Sequence, residues 1–386
     1  LFANLVRLPG YNEFVSVPLE PSLRLQPPFD LSEVPDRPAV FVIHPHAGRP
    51  YLGRTRVLRR RLTRLLDATS TLTRRLNLRE LAARVDCYYS ASQLSARLTH
   101  YQLARDYFPD EYPAMIHLRP AAFIKTLLGN QFPRTVVTTR LSGARAFHYG
   151  PFRTRASAER FEQEVLDLFQ VRRCQEDLAP SADHPGCVYG EMGKCLRPCQ
   201  DVVGTEEYGS EVHRLVSFFE TGGHSLSNVV TAERDRASAE LNFEEAARQH
   251  ARLQRIEQTL KLRDELAGDA FHLNGVAVQP AVQSGAVELF FLLEGAWLPP
   301  VEFSVAATGA EVIPLDRRLR ELVTALVPAR PALQQRAEHL ALLAQWFYSS
   351  WRDGEWIPFP ALDQLSYRKL VRAISKTATS AQASLF

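Results

Sequence analysis

Four cysteines, Cys174, Cys187, Cys195 and Cys199, constrain this chain more than any other feature: they follow a C-x12-C-x7-C-x3-C spacing within 26 residues. Gly186, Gly190, Gly193 and Pro198 sit among them, and glycine lets a backbone fold tightly around a shared centre. Four soft thiolates suit either a tetrahedral zinc or an iron–sulfur cluster. Neither C-x2-C knuckle of the common zinc ribbons is present, and the Cys-Leu-Arg-Pro-Cys ending resembles the Pro-adjacent cysteines of iron–sulfur sites. His184 is either a substitute ligand or an ordinary loop histidine. Only Cys87 falls outside the group, and five is an odd number in a chain without a secretory pattern at its start. That disfavours a disulfide framework and favours reduced thiols, so a cytoplasmic location is expected.

The chain has 386 residues, 45% apolar and 23% charged, which fits several packed domains and excludes wholesale disorder or a coiled-coil rod. No run of eighteen apolar residues occurs, so no membrane-spanning helix is expected. The net charge is +3, too small by itself to imply a polyanion partner. It conceals a local excess, because residues 49–84 hold eleven arginines against Asp67 and Glu80. Such a surface can track phosphates. Of the 46 basic residues only five are lysine, a skew that a GC-rich genome would also produce.

Along the chain, residues 1–37 are Pro-rich and read as an extended lead-in. A short apolar run at 39–43, a turn (PHAGRP) and a second strand near Tyr51 predict a β-hairpin. A leucine-spaced, Arg-rich helix over 56–66 follows. A strand is expected over 85–89, a helix over 92–107, strands at 135–138 and 147–149, and an amphipathic helix over 158–169. Residues 206–265 are charged and helical by pattern. Within them two helices meet at Leu241-Asn242-Phe243, where Asn242 caps the second and Glu245 completes a capping box. Ala246, Ala247, Leu253, Ile256 and Leu260 form the apolar stripe of that second helix. So narrow a pair docks either on its own protein or on a partner. Strand-like runs return over 271–305, and 317–352 reads as two helices.

Three of these segments, in one order, resemble the UvrC excision nuclease family. AVFVIHPHAGRPYLGRTRVLRRRL is similar to the GIY-YIG nuclease core. GPF (150–152), a helix, RRC and GCVYGEMGKCLRPC resemble the family's cysteine segment, which implies a 4Fe-4S cluster held by Cys174, Cys187, Cys195 and Cys199, with zinc as the alternative. AELNFEEAARQHARLQRIEQ resembles the UVR motif, which in this family docks on the helicase-like subunit UvrB. Leu241, Phe243, Ala246 and Ala247 are then the partner-binding residues. The implied fold is α+β and multidomain: a GIY-YIG-like α/β domain over 38–113, a linker and cysteine-cluster region over 114–205, a UVR helical hairpin over 206–265, and a C-terminal α+β domain over 266–386.

The resemblance also implies a DNA phosphodiester as substrate, a tyrosine-activated water, an arginine polarising the phosphate, and a divalent metal such as Mg or Mn. Tyr51 and Gly53 match the second half of the motif and Arg61 matches the helix arginine, while Arg54 replaces the usual lysine. Arg54, Arg56, Arg59, Arg60, Arg61 and Arg64 form the expected DNA-binding set. The departures fall on chemistry. Phe41 stands where the first tyrosine belongs, Ala39 replaces the preceding glycine, and His100 occupies the place of the metal-binding glutamate. Residues 91–105 contain no carboxylate, and magnesium prefers oxygen ligands. A weak or inactive nuclease site is therefore expected. The alternatives are a softer metal at His100, a carboxylate from Asp86, Asp106 or Glu80, or a non-enzymatic UvrB-binding adaptor. A zinc-stabilised nucleic-acid protein unrelated to repair is a further one. The family's second, RNase H-type nuclease and its helix-hairpin-helix tail find no counterpart in residues 266–386. Trp297, Trp346, Trp351 and Trp356 in this last segment read as core or interface aromatics.

Overall fold

The computed structural model describes residues 19–66, 77–143, 145–305 and 313–383. Three antiparallel sheets organise the chain. The first module contains β1 (Leu23–Leu25), β2 (Ala39–Pro45), β3 (Tyr51–Thr55), α1 (Leu58–Leu65), β4 (Ala82–Tyr89), α2 (Gln93–Tyr107) and α3 (Tyr112–Met115), with strand order β1-β4-β2-β3. Alternation along β2 sends its side chains to two cores. Phe41 and Ile43 meet Leu58, Leu62 and Leu65 of α1, whereas Val40 and Val42 meet Leu103 of α2. The Pro-rich lead-in is thus partly sheet: β1 pairs β4 with Arg24 opposite Asp86, because prolines exclude helix but tolerate an edge strand. Residues 1–18 of that lead-in, with Asp67, Arg74 and Arg75 of the basic segment, lie outside the described residues.

The second module contains β5 (Ala122–Thr126), β6 (Thr135–Thr138), β7 (Phe147–Phe152), α4 (Arg155–Leu166), α5 (Val188–Glu191), α6 (Thr205–Glu220), α7 (His224–Ala239), α8 (Phe243–Leu260) and β8 (Gly268–Asp269). Its sheet runs β6-β5-β7-β8, and an aromatic core of Tyr149, Phe152, Phe161, Phe218 and Phe219 joins it to α4 and α6. The segment read as one hairpin over 206–265 therefore holds three helices, of which α6 belongs to this core and only α7 and α8 form the hairpin.

The third module contains β9 (Gly275–Pro280), β10 (Ala286–Leu293), β11 (Ala296–Trp297), β12 (Val301–Ser304), α9 (Leu315–Thr324), α10 (Leu333–Phe347), β13 (Glu355–Pro358) and α11 (Tyr367–Ala383). Helix α10 is apolar on most of its circumference, as expected of a buried helix. It serves as the hub of a shared core in which Leu94 of α2, Phe123 of β5, Phe290 of β10 and Trp346 of α10 meet.

Candidate nucleic-acid interface and cysteine centre

Helix α1 buries Leu58, Leu62 and Leu65 and turns Arg59, Arg60 and Arg64 to solvent, the consequence of leucines at helical spacing among arginines. Arg54 and Arg56 on and beside β3 are also exposed. Among the described residues, none of these five arginines forms an ion pair, whereas Arg49 is held by Glu111 at 2.7 Å and Arg84 by Asp86 at 3.1 Å. The Asp36 carboxylate accepts from the Arg60 backbone amide at 3.3 Å but pairs with none of these guanidiniums, which leaves them available to phosphates.

Tyr51 and Arg61 come together: the Arg61 guanidinium donates to the Tyr51 hydroxyl at 3.0 Å. Phe41 lies opposite Gly53 in the β2–β3 register. A Cβ at Gly53 would stand 2.5 Å from the Phe41 ring, so the ring fills the space above the glycine. Phe41 is fully buried and its ring centroid is 6.1 Å from that of Tyr51.

His100, on α2, sits in a different company. Burial pulls its pKa down to about 4, and the neighbouring charges of Arg54 and Arg97 pull the same way. Arg97 is fixed from the third module, stacking 4.4 Å over Trp351 and donating to Gln345 at 2.9 Å. The imidazole is neutral, and the two guanidiniums beside it repel a divalent cation. Of the carboxylates proposed to replace the glutamate, Asp86 is buried and accepts from Arg24 at 3.0 Å and from His44 at 2.9 Å, with Arg84 beside it. Asp106 accepts from Gln102 at 2.9 Å. Glu80 is exposed in the turn before β4. Sequence reasoning did not find Arg97 or the Asp86 network. A lone carboxylate inside the apolar run of β4 was the available signal, since a buried charge needs partners.

The four clustered cysteines are free thiols. Cys195 and Cys199 are buried, Cys174 is half-buried and Cys187 exposed. The Cys174 sulfur accepts from the Arg172 guanidinium at 3.5 Å and the Cys195 sulfur from the Arg197 amide at 3.4 Å. Burial pushes the Cys195 thiol up to about 11, and the other three cysteines add to that; Cys199 is raised by burial and by Cys174 and Cys187. The loop turns through left-handed backbone at Gly186, Gly193 and Arg197, and a Cβ at Gly190 would collide with the Arg197 stem at 2.8 Å. The thiols thus lie within electrostatic reach of one another. Yet among the described residues no three His, Cys, Asp or Glu side chains are arranged to hold a metal ion.

At the hairpin, the Asn242 carboxamide accepts from the Glu245 amide at 3.2 Å. The reciprocal half of the capping box is replaced, because the Glu245 carboxylate turns to Gln249 and Arg248. The base of α8 docks on its own protein through buried Ile256 and through Arg255, which pairs with Glu164 and Asp167. The tip is free: Leu241 is 71% and Phe243 68% exposed. Ala246 is half-buried and Ala247 exposed.

Residues 121–218 match the family described as UvrC/Cho excinuclease, middle domain. The match runs from β5 through the cysteine loop to α6, so the second module is similar to that middle domain. UvrABC system protein C of Lachnospira eligens is 22% identical over 327 residues, covering 82% of this chain and 53% of the relative. The protein of the same name from Symbiobacterium thermophilum is 22% identical over 370 residues, covering 94% and 57%, and that of Pseudomonas putida 27% over 217 residues, covering 55% and 35%. The chain spans about half the length of the first two of these relatives. No solved structure matches it. Among the described residues no helix is long and apolar enough to cross a membrane.

Proposed function

We propose that this chain serves nucleotide excision repair as a UvrC-like protein that binds DNA through its first module and a UvrB-like subunit through its hairpin. On this reading its GIY-YIG-type centre is degenerate. The observation that carries the proposal is the composition of that centre. Phe41 supplies no hydroxyl, and His100 stands between Arg54 and Arg97 where a divalent metal would need a carboxylate. The exposed guanidiniums of Arg54, Arg56, Arg59, Arg60 and Arg64 are suited to positioning a phosphate backbone, and such contacts carry no sequence information. Incision of damaged duplex with magnesium or manganese tests the reading. The expected result is little or no cutting; efficient cutting that disappears in Arg61→Ala would overturn it.

The retained Tyr51–Arg61 hydrogen bond favours a second reading, an active endonuclease making a single incision, which the same assay decides. The solvent-facing Leu241 and Phe243 support recruitment of the partner. Phe243→Asp should abolish co-purification with UvrB while leaving the unfolding midpoint unchanged. Failure of the unaltered chain to associate would remove the adaptor role.

The donor set of Cys174, Cys187, Cys195 and Cys199 fits a 4Fe-4S cluster by its chemistry. It comprises four soft thiols with no disulfide among them, and two of the sulfurs receive N–H donors. A bound cluster would cross-link the loop through these four sulfurs. Iron and acid-labile sulfide after anaerobic purification are expected. Stoichiometric zinc would select the alternative metal.

A further inference from the structure

Between Tyr112 and Ala158 the chain carries seven arginines and lysines and no aspartate or glutamate. This stretch builds β5, β6 and β7, away from the Arg-rich helix α1. Of its cations only Arg155 is paired with a carboxylate among the described residues, through Glu159. At one end of the sheet a cavity of about 370 Å³ opens to solvent, lined by Lys125, Leu127, Gly129, Asn130, Ser142, Gly143, Arg145 and Ala146. Its polar lining consists of cations, a carboxamide and a hydroxyl, with no acidic group.

The cavity is built by local structure. The Gly129 amide donates to the Arg145 carbonyl at 3.0 Å. A Cβ at Gly129 would lie 3.1 Å from the Arg145 Cβ and 3.2 Å from its Cδ, so the missing side chain is what lets the Arg145 stem lie across the loop. Lys125 follows Phe123 on the same face of β5, opposite His148 and Val136. The Ser142 amide donates to the Nε2 atom of buried His148 at 3.3 Å, which anchors the far wall. Arg140, two residues before Ser142, is exposed.

We propose that this face, centred on Lys125 and Arg145, is a second nucleic-acid site that takes the phosphodiester backbone. An ammonium and a guanidinium with Asn and Ser donors match phosphate oxygens. A cavity open to solvent and lined by two cations suits a continuous strand better than an enclosed metabolite. The site is separate from the first module and does not depend on the nuclease reading.

Lysine acylation on the full chain tests it, because the chain has only five lysines and each can be followed by mass spectrometry. Saturating single-stranded or duplex oligonucleotide should slow acylation of Lys125 several-fold and leave Lys369 and Lys376 unchanged. Protection should persist in the Arg59→Gln/Arg60→Gln variant, which separates this site from the first module. Arg145→Gln should weaken binding and flatten the dependence of log affinity on log salt by about 0.9, the slope carried by one duplex phosphate contact. Equal acylation of Lys125 with and without bound DNA would overturn the proposal. So would protection by inorganic phosphate alone, which would mark a free-phosphate site. Equal protection by polyglutamate would overturn it too, since it would mark an acidic-peptide surface.

Discussion

At the scale of single residues, the decisive pairings join positions that sequence reading treats separately. Phe41 and Gly53 are one unit: the ring occupies the volume that a side chain at 53 would need. Gly53→Ala should cost about 1–3 kcal/mol through overpacking, measured as a shift in the urea midpoint at constant slope. His100 gives a pH signature. Its folded pKa of about 4 lies below the ordinary 6.5, so the unfolded chain binds the extra proton between those values. Stability therefore falls as pH drops from about 6.5 to 4, by up to about 1.4 kcal/mol per pH unit. Buried His148 and His339, also depressed, add slopes of the same sign, while Glu288, raised by burial to about 7, opposes them above its ordinary 4.5. The clean readout is the difference: His100→Gln should show a shallower loss than the unaltered chain over this window. The missing hydroxyl at Phe41 and the missing carboxylate over 91–105 are plain in the sequence. Arg97, three residues before His100 on α2, is legible as a helical neighbour, whereas Arg54 beside His100 is not, because β3 meets α2 only in the folded first module.

At the scale of elements, local signals were the legible ones. The leucine spacing of α1 and the Asn242 cap of α8 both act within one or two helical turns. Loss of the last by Asn242→Ala should cost about 1 kcal/mol. It should appear as faster amide exchange in the first turn of α8, since Leu241 and Phe243 there are held by little else. The base of the hairpin packs on its own protein through Ile256 and Arg255, while Leu241 and Phe243 at its tip are exposed. Elements whose partners are remote were read less well. Strand β1 looked like mere lead-in because its role comes from pairing with β4. Helix α11, which covers the third sheet through Leu370, Ala373 and Ile374, carried no expectation. The N-terminus of α2 is capped a second time from the third module, where Asp353 accepts from the Gln93 amide at 2.6 Å.

At the scale of the whole molecule, α10 ties the modules together. Glu338 on it accepts from Tyr101 of α2 at 2.7 Å and from Tyr112 of α3 at 2.5 Å, all three side chains being buried. Glu338→Ala would leave two buried hydroxyls without this acceptor, at about 1–3 kcal/mol each. The expected outcome is a lower unfolding midpoint with earlier loss of the first module, followed by tyrosine fluorescence and amide exchange in α2. Unfolding indistinguishable from the unaltered chain would mean that the modules are not coupled there.

The sequence by itself determined the elements whose causes are short-range: amphipathic helices, the capped start of α8 and the β2–β3 hairpin. Hydrophobic period and hydrogen-bonding side chains act over a few residues, so they can be read in order. Tertiary structure alone decided which charges face one another. His100 met Arg54, Asp86 met Arg24 and His44, and Lys125 came to line one cavity with Arg145. Electrostatic energy depends on distance through space rather than along the chain, and that distance is set only when the modules close on their shared core.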